Sequence, residues 1–196
     1  DNSNLILTTE SATKIYQSPK EYGIQKIDIV LKNNSNFEFI NDELILYKDS
    51  RYIQFFNLKS DENSTFFYTD ILSRGRSFEN FDFSNMLIKN SFYCEKSMEY
   101  MEKFDVKGAE LKDYISRKSS SNFIFAKIYI KTNNNEEFLN RIYLEKFESF
   151  SYTKNKKIIL GVINSNNMFE LKNQIFKIWE LYRKELNKSK FNLGKQ

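Results

Sequence analysis

The sequence predicts an α+β fold: a mainly antiparallel β-sheet, a meander, packed with a long C-terminal α-helix and one shorter central helix. Three observations lead there. Apolar residues alternate with period two from Lys26 to Thr69 and again from Phe123 to Ile163. Asn, Asp and Ser clusters interrupt that alternation about every ten residues, the mark of short strands joined by turns. Near the C-terminus the apolar period lengthens to that of a helix.

The elements follow in order. Residues 1–23 are polar, are broken by Ser18-Pro19, and carry only Leu5-Ile6-Leu7 as an apolar run. They read as an arm or tether, with residues 24–196 as a single domain. Ile27, Ile29 and Leu31 alternate with polar neighbours, and Asn33–Asn36 turns the chain into Phe37–Ile40. Glu43–Tyr47 and Arg51–Phe56 flank Lys48-Asp49-Ser50, a hairpin signal, and Thr65–Thr69 completes a first block of strands. Residues 92–104 fit either a strand or an amphipathic helix. Ala109–Lys118 reads as a helix with Leu111, Tyr114 and Ile115 on one face.

In a second β block, Ile124, Ala126, Ile128 and Ile130 line one face of a strand, with Phe123, Phe125 and Tyr129 on the other. A turn at Asn133–Glu137 leads to Phe138–Phe147, read as a further strand. With Tyr143 and Phe147, the second face forms either core under the helix or an exposed aromatic surface. Phe150–Tyr152 and Lys156–Ile163 pair across Lys154-Asn155, and the nearly apolar Ile158–Ile163 is expected to be the most central strand. Asn167 then caps the C-terminal helix, with Glu170 three residues on and Leu171, Ile175, Ile178, Trp179, Tyr182 and Leu186 as its buried stripe. No internal repeat of fixed period is visible.

The chain contains no histidine and one cysteine, Cys94. That removes the commonest general base, the usual partner of a catalytic Ser or Cys, and the residues of most zinc sites. Cys94 reads as a small buried residue. The five glycines are widely separated, so no Gly-rich loop can cradle a phosphate. No catalytic residue, metal or cofactor is expected. Paired carboxylates such as Glu145 and Glu148 leave a carboxylate-based hydrolase as an alternative, which needs two acids facing across a cleft.

A net charge of +4, with both signs interspersed, favours acidic partners without selecting one. Arg74 and Arg76 flank Gly75 and can grip carboxylate or sulfate oxygens. Lys154, Lys156 and Lys157 form a basic turn beside Tyr152. Basic plus aromatic residues suit nucleic acid, but no nucleic-acid signature accompanies them, so a weakly basic nucleic-acid binder stands only as a second alternative.

The Lys-, Asn-, Phe- and Ile-rich vocabulary resembles a Borrelia-type spirochaetal surface lipoprotein. Lys131-Thr132-Asn133-Asn134-Asn135-Glu136-Glu137 and Lys184-Glu185-Leu186-Asn187-Lys188-Ser189-Lys190 carry the likeness. So do the lack of His and a polar N-terminal stretch that opens on Asp1. The resemblance implies an exported, non-enzymatic protein on the outer cell surface, lipid-anchored upstream of Asp1. It implies host protein or acidic glycan as partner, in an adhesive, immune-evasion or antigenic role, with the basic residues above as contacts.

Overall fold

The computed structural model describes residues 2–75, 78–118 and 124–194. Its first half is three stacked coils of chain. The first holds β1 (Asn4–Thr8), β2 (Thr13–Ile15) and β3 (Gly23–Leu31); the second holds β4 (Asn36–Ile40), β5 (Leu44–Leu46) and β6 (Arg51–Ser60). The third holds β7 (Thr65–Ser73) and β8 (Asn85–Cys94). β1 lies on β4 and β4 on β7; β2 lies on β5 and β5 on the far end of β7. β3 lies on β6 and β6 on β8. All of these pairings are parallel.

The rest of the chain is added antiparallel. β9 (Ser97–Val106) folds back on β8, and after α1 (Gly108–Lys118) comes β10 (Ile124–Lys131), which pairs with β7. α2 (Asn135–Leu144) leads to β11 (Phe150–Tyr152) and β12 (Ile159–Ser165), and β12 joins β10 to β11. α3 (Met168–Glu185) ends the fold. The result is an eight-stranded mixed sheet, with β1-β4-β7-β10-β12-β11 as its path, and a four-stranded sheet in the order β3-β6-β8-β9.

The antiparallel meander is therefore corrected to two mixed sheets, and the hairpin at Lys48–Ser50 to a corner. β5 belongs to the larger sheet and β6 to the smaller, so the chain changes sheet there and does not reverse. Left-handed backbone at Asn33, Asn34 and Asp49 makes these corners. Asn and Asp tolerate that conformation in a hairpin turn and a corner alike, so turn composition cannot tell the two apart. The coils left no repeat in the sequence because their lengths differ: Asn4 stacks on Asn36, Asn36 on Thr65, and Arg51 on Asn85.

The N-terminal stretch takes part in these coils. β1 and β2 are hydrogen-bonded strands of the larger sheet, docked on β4 and β5. One corner is held from behind by Lys131, a buried residue of β10. Its ammonium donates to the backbone carbonyls of Asp61, Glu62 and Ser64 at 2.6, 2.8 and 2.7 Å. A buried charge needs such partners.

The core forms two layers. Ile124, Ala126, Ile128 and Ile130 of β10 pack with α2 and α3 through Phe138, Ile142, Leu171, Ile175, Ile178 and Trp179. On the other side of the larger sheet, Phe37, Phe39, Phe66, Tyr68 and Tyr129 meet Phe56, Leu58 and Phe92 of the smaller sheet. The aromatic face of β10 is thus core, covered by a second sheet rather than by the helix. Tyr129 is buried and Phe125 partly so; Phe123 lies outside the described residues. Tyr143 is exposed, with its hydroxyl on the Phe150 carbonyl.

α3 has the expected cap, the Asn167 side chain accepting from the Phe169 amide, and the expected buried stripe from Leu171 to Tyr182, while Leu186 is the C-cap and only partly buried. Residues 138–147 are not a strand. α2 occupies most of them, started by Asn134, which accepts from the Glu137 amide while its own amide donates to the Glu137 carboxylate. That is the same Asn-x-x-acid spacing as at Asn167 and Glu170. β12 sits next to the edge strand β11, not at the centre, and β7 and β10 take the middle of the sheet.

Candidate functional site

Between the sheets lies a set of polar side chains at inward positions that the alternating pattern reserves for apolar residues. Asp70 of β7 accepts from the Tyr68 hydroxyl at 2.5 Å, from Asn90 of β8 at 2.7 Å and from Gln54 of β6 at 3.3 Å. The same Asn90 amide reaches the Tyr129 hydroxyl at 3.0 Å and the Glu102 carboxylate at 3.3 Å. Glu102, on β9, also accepts from Tyr129 and from Lys127 at 3.1 Å. Lys127 lies over the Phe104 ring, 4.7 Å from its centroid. Tyr52 extends the network by donating to Gln25 and Gln54.

Burial raises the Asp70 carboxyl above its ordinary range, with Glu102 adding to the rise and Tyr68, Asn90 and Gln54 opposing it. Burial likewise pushes the Tyr68 and Tyr129 phenols well up, and Tyr100 beside Glu102 up to about 12. These hydroxyls remain protonated donors. A fully connected network of this kind fixes one relative placement of two sheets that apolar packing alone would leave free to slip.

It leaves little room for a substrate. The two cavities beside Asp70 measure about 20 and 30 Å³, enough for one or two waters each. The carboxylate-hydrolase alternative finds no cleft in either place: Glu145 and Glu148 are exposed, Glu145 pairing with Lys177 at 2.8 Å, and Asp70 and Glu102 face a filled interior. Among the described residues no group of three or more His, Cys, Asp or Glu is placed to hold a metal ion. Cys94 is buried, 3.8 Å from the Asp61 carbonyl, and burial raises its thiol.

The positions singled out from sequence do not converge on one patch. Tyr152, Lys154, Lys156 and Lys157 share the β11–β12 hairpin. Lys157 pairs with Glu62 at 2.8 Å, and Lys156 pairs with Glu136 at 3.7 Å and lies over the Tyr152 ring. Lys154 is exposed. Arg74 follows the opposite end of β7, roughly 25 Å away at about 3.3 Å per strand residue. Arg76 lies outside the described residues.

A second buried polar group, also missed from sequence, ties the C-terminal segment to the sheet. Glu38 of β4 is 1% exposed and accepts from the Trp179 indole and the Arg183 guanidinium, each at 2.6 Å. The Lys188 ammonium stands 3.3 Å from its other oxygen. Asn90 carried a signal, an amide on the same face as Ile88 and Phe92, whereas Glu38 alternates with Phe37 and Phe39 and reads from sequence as an outward residue; β4 is buried on both faces.

Comparison with known proteins names the relatives. The UreD urease accessory protein family model matches residues 1–193. A urease accessory protein UreD of Aliarcobacter butzleri (strain RM4018) is 96% identical over all 196 residues, which span 78% of that protein. The UreD of Bacillus sp. (strain TB-90) is 41% identical over 75 residues, 38% of this chain and 28% of its own. That of Staphylococcus epidermidis is 37% identical over 102 residues, 50% of this chain and 36% of its own.

These matches overturn the resemblance to spirochaetal surface lipoproteins, which rested on composition alone. The adhesive and antigenic role falls with it, as do the host or glycan partners and the exported, lipid-anchored location. Among the described residues no helix is long and apolar enough to cross a membrane. Similar vocabulary arises wherever Lys, Asn, Ile and Phe are abundant, whereas a match along nearly the whole chain reports common descent. The chain belongs to the UreD urease accessory protein family.

Proposed function

We propose that this chain serves in the maturation of urease, acting by contact with the urease apoprotein and not by catalysis of its own. The observation that carries the reading is the 96% identity to a urease accessory protein along all 196 residues. The interior supports the second half of it. The inward-facing acids and phenols are engaged with one another around cavities of water size, and the chain has no histidine to act as a general base at neutral pH. A rigid three-layer body with a fixed outer surface suits recognition of another folded protein.

The test is urease activity in cells that express urease and its other accessory proteins but lack this chain's gene. The apoprotein is expected to accumulate with little activity, and the chain supplied in trans is expected to restore it. Full activity without the chain would overturn the reading.

A further inference from the structure

Helices cover the far face of the larger sheet, while the outer face of the four-stranded sheet faces solvent. Successive strand residues point to opposite sides. Gln25, Gln54, Asn90 and Glu102 point inward to the polar network, so Lys26, Phe55, Lys89 and Lys103 point outward. The strand registers set these four in one row across β3, β6, β8 and β9. Around that row stand apolar side chains open to water: Ile24 is 69% exposed, Val30 61%, Met98 52% and Met101 45%.

Two features of this face are not explained by folding. Lys89 and Lys103 are directly opposite one another on antiparallel strands, an arrangement that destabilises a sheet. The acids of the face sit on its edge strands. Asp28 pairs with Lys26 and Asp105 with Lys103, each at 3.1 Å. Among the described residues no carboxylate is paired with Lys89. The face therefore carries the unmatched cation Lys89 on an inner strand, while Lys26 and Lys103 on the edge strands are balanced by Asp28 and Asp105, with apolar side chains around them.

We propose that this face docks an acidic surface of the urease apoprotein, with Lys89 and Lys103 receiving its carboxylates and Ile24, Val30, Met98 and Met101 supplying the apolar contact. This rests on the accessory reading above and adds where the contact is made. Charge complementarity selects an acidic partner, which relieves the like-charge pair on binding.

Lys89→Glu discriminates a docking role from a structural one. It places a carboxylate opposite Lys103, so the melting temperature is expected to stay level or rise while docking is lost. Binding of the purified full chain to purified urease apoprotein is measured by calorimetry at low and high salt. Lys177→Glu on α3 serves as the control, and vesicles containing phosphatidylserine serve as a second probe. Supporting results are binding weakened by salt, about tenfold or more weaker for Lys89→Glu, and unchanged for Lys177→Glu. Lys89→Glu binding as tightly as the unaltered chain would overturn the proposal, as would binding to the vesicles in place of the apoprotein. The complementation experiment fails or succeeds with the unaltered chain, so the accessory reading and the docking face are judged separately.

Discussion

Glu38→Ala is expected to lower the unfolding free energy by about 3–5 kcal/mol, the range for removing one partner of a buried ion pair. The carboxylate is almost wholly enclosed and holds Trp179 and Arg183 of α3 at once. Arg183 is 7% exposed and, among the described residues, donates elsewhere only to the Ser189 carbonyl, at 2.8 Å. Its stacking over Trp179 and Phe191 keeps it from swinging to water. Without Glu38 a guanidinium is left buried without its counter-charge, and an indole N–H is left without its acceptor. Lys188 is less constrained and can turn outward. Urea denaturation checks the value. Glu38→Leu combined with Arg183→Met, which removes both charges and keeps the volume, is expected to recover much of the loss. An Ala variant as stable as the parent would show that the clamp contributes nothing.

Asp70→Ala is expected to cost about 1–3 kcal/mol, the range for leaving buried donors without an acceptor. Tyr68, Asn90 and Gln54 all donate to that carboxylate. The loss should depend on pH. Burial raises the folded-state carboxyl above its ordinary value near 3.8. The stability that comes with this raised affinity for a proton is fully present below the unfolded value, and is lost as pH rises through the folded one. The gap between the parent and Asp70→Ala is therefore widest near pH 4 and narrows toward neutrality. Denaturation midpoints measured across that window decide it; a gap that widens with pH would mean that the carboxylate is stabilised, not penalised, between the sheets.

What could be read from the residues depended on how local the determining interaction was. α3 was readable because its cap at Asn167 and its stripe from Leu171 to Tyr182 lie within one stretch of chain. The β11–β12 hairpin was readable for the same reason, Tyr152 pairing with Ile159 across a short turn. The coils were not. Each parallel pairing joins residues about thirty apart, as Gly23 with Tyr52, and alternation looks the same whichever neighbour a strand finds. α2 was misread although Asn134 and Glu137 carried its start signal, because the apolar residues after them also suit a strand.

The site suffered from a different blindness. Basic residues in turns draw attention, yet Lys156 and Lys157 are already matched by Glu136 and Glu62. The positions that organise the interior, Asp70, Asn90 and Glu102, are single polar residues on three strands and become a group only once the sheets stack. The same holds for Lys26, Lys89 and Lys103, which share a row through register alone.

Hydrogen–deuterium exchange of the chain, alone and with purified urease apoprotein, tests most directly whether this protein works by docking its small sheet. Slower exchange on adding the apoprotein is expected at the edge strands β3 and β9 and the β8–β9 turn, with α2 and α3 unchanged. Protection confined to the helices, or none on any element, would contradict the account.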